Sequence, residues 1–499
     1  MVQQLGDAII TEAVLVDKQE LRITIDSGDR AGLWGAFPFG IVVGNPNANR
    51  IFSFSTSSQV QDHDDFSQTL GCSIIATDKG YQMHLFTQEH DILIVRVPPK
   101  DLSFEAFQLV HSAISLNQRI WAYFTDVKLC GPTKQVVIVS ETSEAPWVHA
   151  DEKALEQFNF QSGTLDQISK NIFLQNGGQI VLPIISPDRI RGIVFDPLLD
   201  SVAACVSILN DKNYAIPILK QCGIRVPETY IVNEPCDIAD ALSQLDPKKK
   251  YVFKLAGSVA GVGMFTNHDH GCSCREMTDY LTYLEMVGKI PHHFQIQEFI
   301  TGKSYGGIVM IDRNRNVKLL SVHQQIVHEG NFLGLLWEPE TEDRLRAFVL
   351  ETVEELLIQK EISLLGVFNI DFMVSEEGTK YVTEINPRYS AGVPFYAVRT
   401  LESNMQKIFP NFGIKKMFLG SNIRFSISVL QSGKLFRVAQ NLHRDFNVVV
   451  LPQGINPFGN SSVLFINDLD GKGRTKFIEY VTGGTCKDLP LVTGIVEKS

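Results

Sequence analysis

Little in this sequence points to a charged polymer, a bilayer or an oxidising compartment. The densest basic run is Lys248 to Lys250 and the formal net charge is -11, so there is no broad cationic footprint for nucleic acid or an anionic membrane. Any polyanionic ligand has to be held by a local constellation. No apolar stretch approaches transmembrane length, and Asp7 and Glu12 fall where the apolar heart of a signal peptide would have to be. The expectation is a cytoplasmic protein with no membrane and no nucleic acid among its partners.

Cysteine is sparse too. The eight cysteines are scattered, with only Cys272 and Cys274 close together, which is unlike a disulfide framework and leaves reduced thiols as the expectation. His268, His270, Cys272 and Cys274 make an HxHxCxC run, but its period-two spacing departs from the CxxC unit of most structural zinc sites. A polar loop is the expected reading, and metal binding there stays open. A GxGxxG turn with a downstream acid and a GK[ST] closure are both missing, which removes the dinucleotide fingerprint and the Walker loop.

What is present is an ordinary globular composition, 44% apolar and 20% charged, on a chain of 499 residues, too long for one compact core and natural for about three folding units. In residues 1–195 the runs GIVVG (40–44), DILIVRV (91–97), RIWAYF (119–124) and QVVIVS (135–140) read as buried strands. Helical stretches at 104–116 and 151–158 fall between them, so an amino-terminal α/β domain with a partly parallel sheet is expected. The turn GNPNANR after Val43 stands at a strand's carboxyl end, where ligands tend to sit in such sheets, although a plain surface turn is the more ordinary reading.

A second unit is expected over 196–400, with a lid at about 213–300 and a metal-binding subdomain at about 301–400. Pro217 should kink a helix there or restart it. Residues 342–359 form the clearest helix, with Leu345, Phe348, Val349, Val353, Leu356 and Leu357 in one apolar stripe. From 401 to 499 the runs FSISVL, NVVVLP and SVLFIN predict a smaller β-rich domain.

The chemistry concentrates in three segments. NIDFMVSEEGTKYVTEINPR (369–388) predicts a hairpin turning at SEEG. With Ser375 paired to Gly378, Asp371 lies opposite Val382 and Asn369 opposite Glu384. Alternation then puts Asp371, Glu384 and Asn386 on one face and Ile370, Phe372, Val374, Tyr381 and Ile385 on the other. A loop of odd length would break this arrangement. Two carboxylates and an amide oxygen suit Mg²⁺ already bound to phosphates. In YVFKLAGSVAGVGMF (251–265) a strand delivers Lys254, and Gly257, Ser258, Gly261 and Gly263 permit a loop whose N–H groups can approach phosphates. HFQIQEFITGKSYGGIVMI (293–311) reads as strand, short connection and strand, a hinge whose backbone can meet an adenine edge between apolar neighbours.

In this order the segments resemble the ATP-grasp superfamily, in which a lysine opening a helix, often as a DK pair, precedes a strand lysine, a glycine-rich lid, an adenine hinge and a DF…E-x-N hairpin. The matching residues are Asp211 with Lys212, then Lys254, Gly257 to Gly263, Gln297, Glu298, Phe299 and Ile300, and finally Asp371, Glu384 and Asn386, with 13 positions between Asp371 and Glu384 as in D-alanine ligases. The resemblance implies ATP and Mg²⁺ (with Mn²⁺ able to substitute) as cofactors, Lys212 and Lys254 on the nucleotide phosphates, and Asp371, Glu384 and Asn386 as metal ligands. Arg388 and Lys254 are the implied catalytic groups. The chain departs from the family at Gln297, usually glutamate, at Ser304, where a ribose-binding glutamate often stands, and at Asn369, often basic. Another cation, Lys318 or Arg388, then has to help neutralise the phosphate.

The layout is similar to pheganomycin-type peptide ligases and L-amino-acid ligases. It implies a carboxylate-amine ligase that makes an acyl phosphate and joins it to an amine of an amino acid or peptide. A noncatalytic ATP-binding regulatory protein on the same fold is the alternative. Bicarbonate activation is less favoured, since no biotin-accepting module is visible, and homodimer formation is left open. His323, Gln324, Gln325 and His328, within 321–338, could line an acceptor pocket.

Overall fold

In its amino-terminal third the computed structural model describes residues 15–16, 20–21, 25–26, 41–44, 50–52, 84–85, 87, 89, 91–97, 103–132, 136–140, 158–163, 167–168, 171–172 and 179–182. Beyond that it describes 197–482 apart from 257–263, 267–269, 289, 292, 312–314, 329–330, 360–361, 388–389, 391, 424, 460 and 469. The expected helix at 151–158 (Phe158 excepted) and most of the GNPNANR turn lie outside the described residues.

Strands β1 (Ile25–Asp26), β2 (Ile41–Gly44), β3 (Arg50–Phe52), β4 (Ile92–Arg96), β5 (Val136–Ser140), β6 (Phe160–Ser162) and β7 (Gln179–Leu182) make one sheet in the order β1-β2-β7-β3-β4-β5-β6. Its β7-β3-β4-β5-β6 part is parallel, and β1 and β2 join antiparallel. Helix α1 (Phe104–Thr125) starts at Ser103, whose hydroxyl accepts from the Ala106 N–H at 3.1 Å, and stops at Asp126 with φ 56°. The run RIWAYF, expected as a strand, is the end of this helix. Ile120, Trp121 and Phe124 continue the stripe begun by Val110, Ala113, Ile114 and Leu116, and a helical stripe fits one buried face as well as a short apolar run fits a strand.

Helices α2 (Pro197–Asn210) and α3 (Lys212–Gln221) meet at Asp211, whose carboxylate accepts from the Asn213 N–H at 2.9 Å and so caps α3. The helix therefore restarts at Lys212. Pro217 lies inside α3 and removes only the bond its N–H would give to the Asn213 carbonyl. A four-stranded antiparallel sheet follows, β8 (Thr229–Val232), β9 (Tyr251–Leu255), β10 (Met264–Phe265) and β11 (Phe294–Glu298), in the order β8-β11-β9-β10. Helix α4 (Cys274–Met286), opened by a Ser273/Glu276 capping box, covers it. Val232, Phe253, Met277, Leu281, Phe294 and Ile296 form a core separate from the rest of the molecule.

Eight further strands make a single antiparallel sheet. They are β12 (Gly302–Ile311), β13 (Val317–His328), β14 (Asn331–Leu336), β15 (Gly366–Ser375), β16 (Lys380–Asn386), β17 (Lys416–Ile423), β18 (Val449–Gly454) and β19 (Ser461–Ile466), ordered β16-β15-β12-β13-β14-β17-β19-β18. Helix α5 (Pro339–Ile358) packs on one face, with Val349 against Gly307 and Phe348 against Phe372. Helix α6 (Gly392–Thr400) packs on the other, with Gly392 against Ile308 and His323. The sheet runs unbroken across residue 400. FSISVL, expected as a strand, is helix α7 (Ile427–Gln431), since Phe425, Val429 and Leu430 bury at helical spacing. Helices α8 (Lys434–Phe446) and α9 (Lys472–Thr482) complete this end, so strands and helices alternate there.

Candidate active site

The hairpin of β15 and β16 does not pair as its sequence predicts. Ser375 and Thr379 close a three-residue loop, with the Ser375 N–H donating to Thr379 O at 2.8 Å and the Gly378 N–H to Ser375 O at 2.9 Å. Gly378 sits at φ +81°, which a side chain resists and glycine does not. That odd loop alone would put Glu384 opposite Ile370, on the apolar face. A bulge at Thr383, between the pairs Phe372↔Val382 and Asp371↔Glu384, adds a second odd residue and restores the phase. The Thr383 hydroxyl pins the bulge by donating to the Asp371 carbonyl at 3.1 Å. The pairs are thus Asp371↔Glu384 and Asn369↔Asn386, in place of the expected Asp371 with Val382 and Asn369 with Glu384. Asp371, Glu384 and Asn386 share one face. Tyr381, expected on the apolar face, lies opposite Met373 and so on the acidic one.

Across the sheet the acidic face continues through Gly306, which pairs with Asp371 on one side and His323 on the other. Asp371 accepts from three side-chain amides: Gln325 at 2.5 Å, Asn369 at 2.6 Å and Asn386 at 2.8 Å. Ser304, the expected ribose contact, donates to Gln325 Oε1 at 2.7 Å. Sequence reasoning gave Asn369 and Gln325 no part in holding Asp371; pairing Ser304 with Gln325 across β12 and β13 would have found the second. Among the described residues no cluster of three His, Cys, Asp or Glu assembles. The set is two carboxylates and amides, which fits an ion that takes its other ligands from phosphates and water.

The lysines face this row. Helix α3 packs Ala215, Ile216 and Leu219 into the same core as Val382 and Ile385, which brings the buried Lys212 ammonium to 3.3 Å from Glu384. Lys254 donates to Gln297 Oε1 at 2.7 Å. Burial, aided by nearby Lys212 and opposed by Glu384 and Asp371, lowers its pKa to about 8. Asp211, besides capping α3, lies 2.9 Å from His293 Nε2.

At the hinge, Gln297 is buried with both amide atoms engaged, accepting from Lys254 and donating to Thr229 Oγ1 at 3.2 Å. Glu298 turns away to pair with Lys249 at 3.2 Å. The Phe299 ring packs against Gly271 and the Phe299 N–H donates to Lys250 O at 2.8 Å, so Phe299 belongs to the packing around the β8–β11 sheet. Ile300 follows in the connection to β12, half-buried. Lys318 is exposed near the start of β13, five positions from His323, about 17 Å along a strand. Gly257, Ser258, Gly261, Gly263 and Arg388 lie outside the described residues. In the cysteine run, Cys272 is buried in a bridge with Tyr251 and Cys274 donates to Asp246 O at 3.3 Å, so both thiols are engaged in packing.

Comparison with known proteins bears on this geometry. Residues 209–392 match the model of the ATP-grasp domain. The carbamoyl phosphate synthase large chain, C-terminal section, of Methanopyrus kandleri is 25% identical over 280 residues, 52% of this chain and 48% of that protein. The carbamoyl phosphate synthase large chain of Clostridium beijerinckii is 25% identical over 45% of this chain and 20% of that protein. The chain thus spans half or less of these relatives. Similar solved structures include an N5-carboxyaminoimidazole ribonucleotide synthetase in complex with ADP (10% identity, TM-score 0.45, 70% of this chain and 89% of that one). Another is an L-amino acid ligase from Bacillus licheniformis (12% identity, TM-score 0.42, 69% and 91%). The segment from residue 209 to residue 392, which carries Lys212, Lys254 and the Asp371–Glu384 pair, is an ATP-grasp domain.

Proposed function

We propose that the chain is an ADP-forming ligase that phosphorylates a carboxylate with ATP and joins the acyl phosphate to an amine, forming an amide or peptide bond with an amino acid or peptide. The observation that carries this reading is the meeting of Lys212 with Glu384 at 3.3 Å. It places a helix-opening cation against the face that bears Asp371 and Asn386. Phosphoryl transfer asks for positioning and charge neutralisation more than for covalent participation, and this is the chemistry such a row can supply.

In this reading Asp371, Glu384 and Asn386 hold Mg²⁺, which when bound neutralises the phosphates during transfer. Asn369, Gln325 and Asn386 fix the Asp371 carboxylate by hydrogen bonds. Lys212 exchanges its contact with Glu384 for a phosphate oxygen, and Lys254, held by Gln297, meets another. The sheet of β8 to β11, with its own core, is the lid that carries Lys254 and shuts out water. Arg388, two positions past Asn386 on the chain, stabilises the oxyanion.

Release of ADP and phosphate should be screened with Mg²⁺ against a panel of amino acids, peptides and amines, with mass spectrometry of the products. The expected result is release that depends on a carboxylate and is lost, by about a hundredfold or more, in Glu384→Ala with an unchanged far-UV circular dichroism spectrum. ATP binding without release under any pairing would make the chain a nucleotide-binding regulator instead.

A further inference from the structure

Beside the carboxylates lie two polar side chains with atoms that the phosphoryl-transfer scheme does not use. Asn369 is 4% exposed, and its Nδ2 donates to Asp371. A carboxylate only accepts, so this bond fixes the amide with Oδ1 on the other side. That oxygen is buried and has no partner. His323 is 2% exposed. Its ring is wedged between Gly306 and Gly392, and its Nδ1 is buried and likewise unbonded. A side chain on Gly306 would bring its Cβ to 2.6 Å from His323 Nε2 and 3.2 Å from both Asn369 Oδ1 and the Gln325 Nε2 that holds Asp371, so these groups converge over the one residue of the row that has no side chain. Buried polar atoms are rarely left unbonded without a functional reason.

Both groups are suited to accept. Asn369 Oδ1 can do nothing else, and burial lowers the His323 pKa to about 4, so the ring is neutral and carries one lone pair. A partner with N–H groups over Gly306 selects the tautomer with the lone pair on Nε2 and the proton on Nδ1.

We propose that Asn369 Oδ1 and His323 Nε2 form the nucleophile subsite, holding a primary amine or ammonia by its N–H groups above Gly306, one strand from Asp371. This rests on the ligase reading above. The nitrogen lone pair attacks the acyl carbon, the C–N bond forms, the C–O bond to phosphate breaks, and one N–H proton leaves with the departing phosphate. The subsite admits a nitrogen centre and excludes bulk at that point. His323 positions the nucleophile and leaves formation of the acyl phosphate to the metal row.

Two measurements on the full chain separate the half-reactions. Positional isotope exchange within ATP, driven by the carboxylate alone, reports the acyl phosphate; hydroxamate formation with hydroxylamine reports its capture. In His323→Leu the KM for hydroxylamine should rise about tenfold, the cost of one lost hydrogen bond, with exchange changed by no more than about twofold. His323→Gln should recover part of the loss, and Gly306→Ala, whose Cβ crowds His323 Nε2, should raise the hydroxylamine KM as well. An unchanged hydroxylamine KM in both His323→Leu and Gly306→Ala overturns the subsite, as does equal loss of exchange and capture. Exchange absent from the unaltered protein with every carboxylate, bicarbonate included, overturns the ligase reading, and the subsite with it.

Discussion

Lys254 shows how one side chain's burial sets a pH response. Its ammonium is taken out of water and sits near a second lysine, so its pKa falls to about 8 from the ordinary 10.5. Below that value the charge is present for a phosphate; above it the charge is lost. The KM for ATP should therefore rise as pH passes through about 8, and the rise should flatten in Lys254→Arg, whose guanidinium stays charged. The stability linkage has the opposite sign. Between the two values the unfolded chain binds the proton that the folded chain has released, so this group's contribution to stability grows with pH across that window. Chemical denaturation of the unaltered protein and Lys254→Met at pH 7 and 9 would reveal it as a difference between the two.

At the level of elements, the hairpin of β15 and β16 depends on two irregularities that cancel. Inserting one residue between Thr383 and Glu384, with the bulge and the three-residue loop kept, moves Glu384 opposite Ile370 and toward the apolar core. The expected outcome is loss of ATP turnover together with a fall in stability of several kcal/mol from a carboxylate facing the core, read as a lower denaturation midpoint. The same hairpin marks what a sequence can reveal. The alternation of Asp371, Glu384 and Asn386 with apolar neighbours was legible as one acidic face. The pairing behind it was not, because a bulge leaves no mark in residue type when its extra residue, Thr383, is itself a good strand former. RIWAYF and FSISVL were misread for a related reason: short apolar runs satisfy either period until their packing partners are known. The amides around Asp371 come from three strands, β13, β15 and β16, whose register no local pattern states.

Over the whole molecule, the eight-stranded sheet joins the ATP-grasp segment to the carboxyl-terminal strands through the β14–β17 pairing. Helix α1 closes the circuit: its Trp121 indole donates to Pro452 O at 2.6 Å, and one core runs from Leu85 to Val481. We propose that residues 401–482 fold with the core, although composition changes at their border. A chain truncated after residue 400 would expose the β14 edge and part of this core, and it should elute as aggregate in size-exclusion chromatography. A monodisperse truncated protein that retains ATP turnover would restore an independent carboxyl-terminal domain. The β8–β11 sheet, in contrast, has a core of its own and is tied to α3 by the Asn213 amide, which donates to Val232 O and Phe294 O.

The acyl phosphate is the centre of this account, and oxygen transfer tests it most directly. A carboxylate substrate labelled with ¹⁸O should give up one labelled oxygen to inorganic phosphate in each turnover, with ADP as the nucleotide product. Label recovered in AMP, or phosphate without label while the amide still forms, would contradict it.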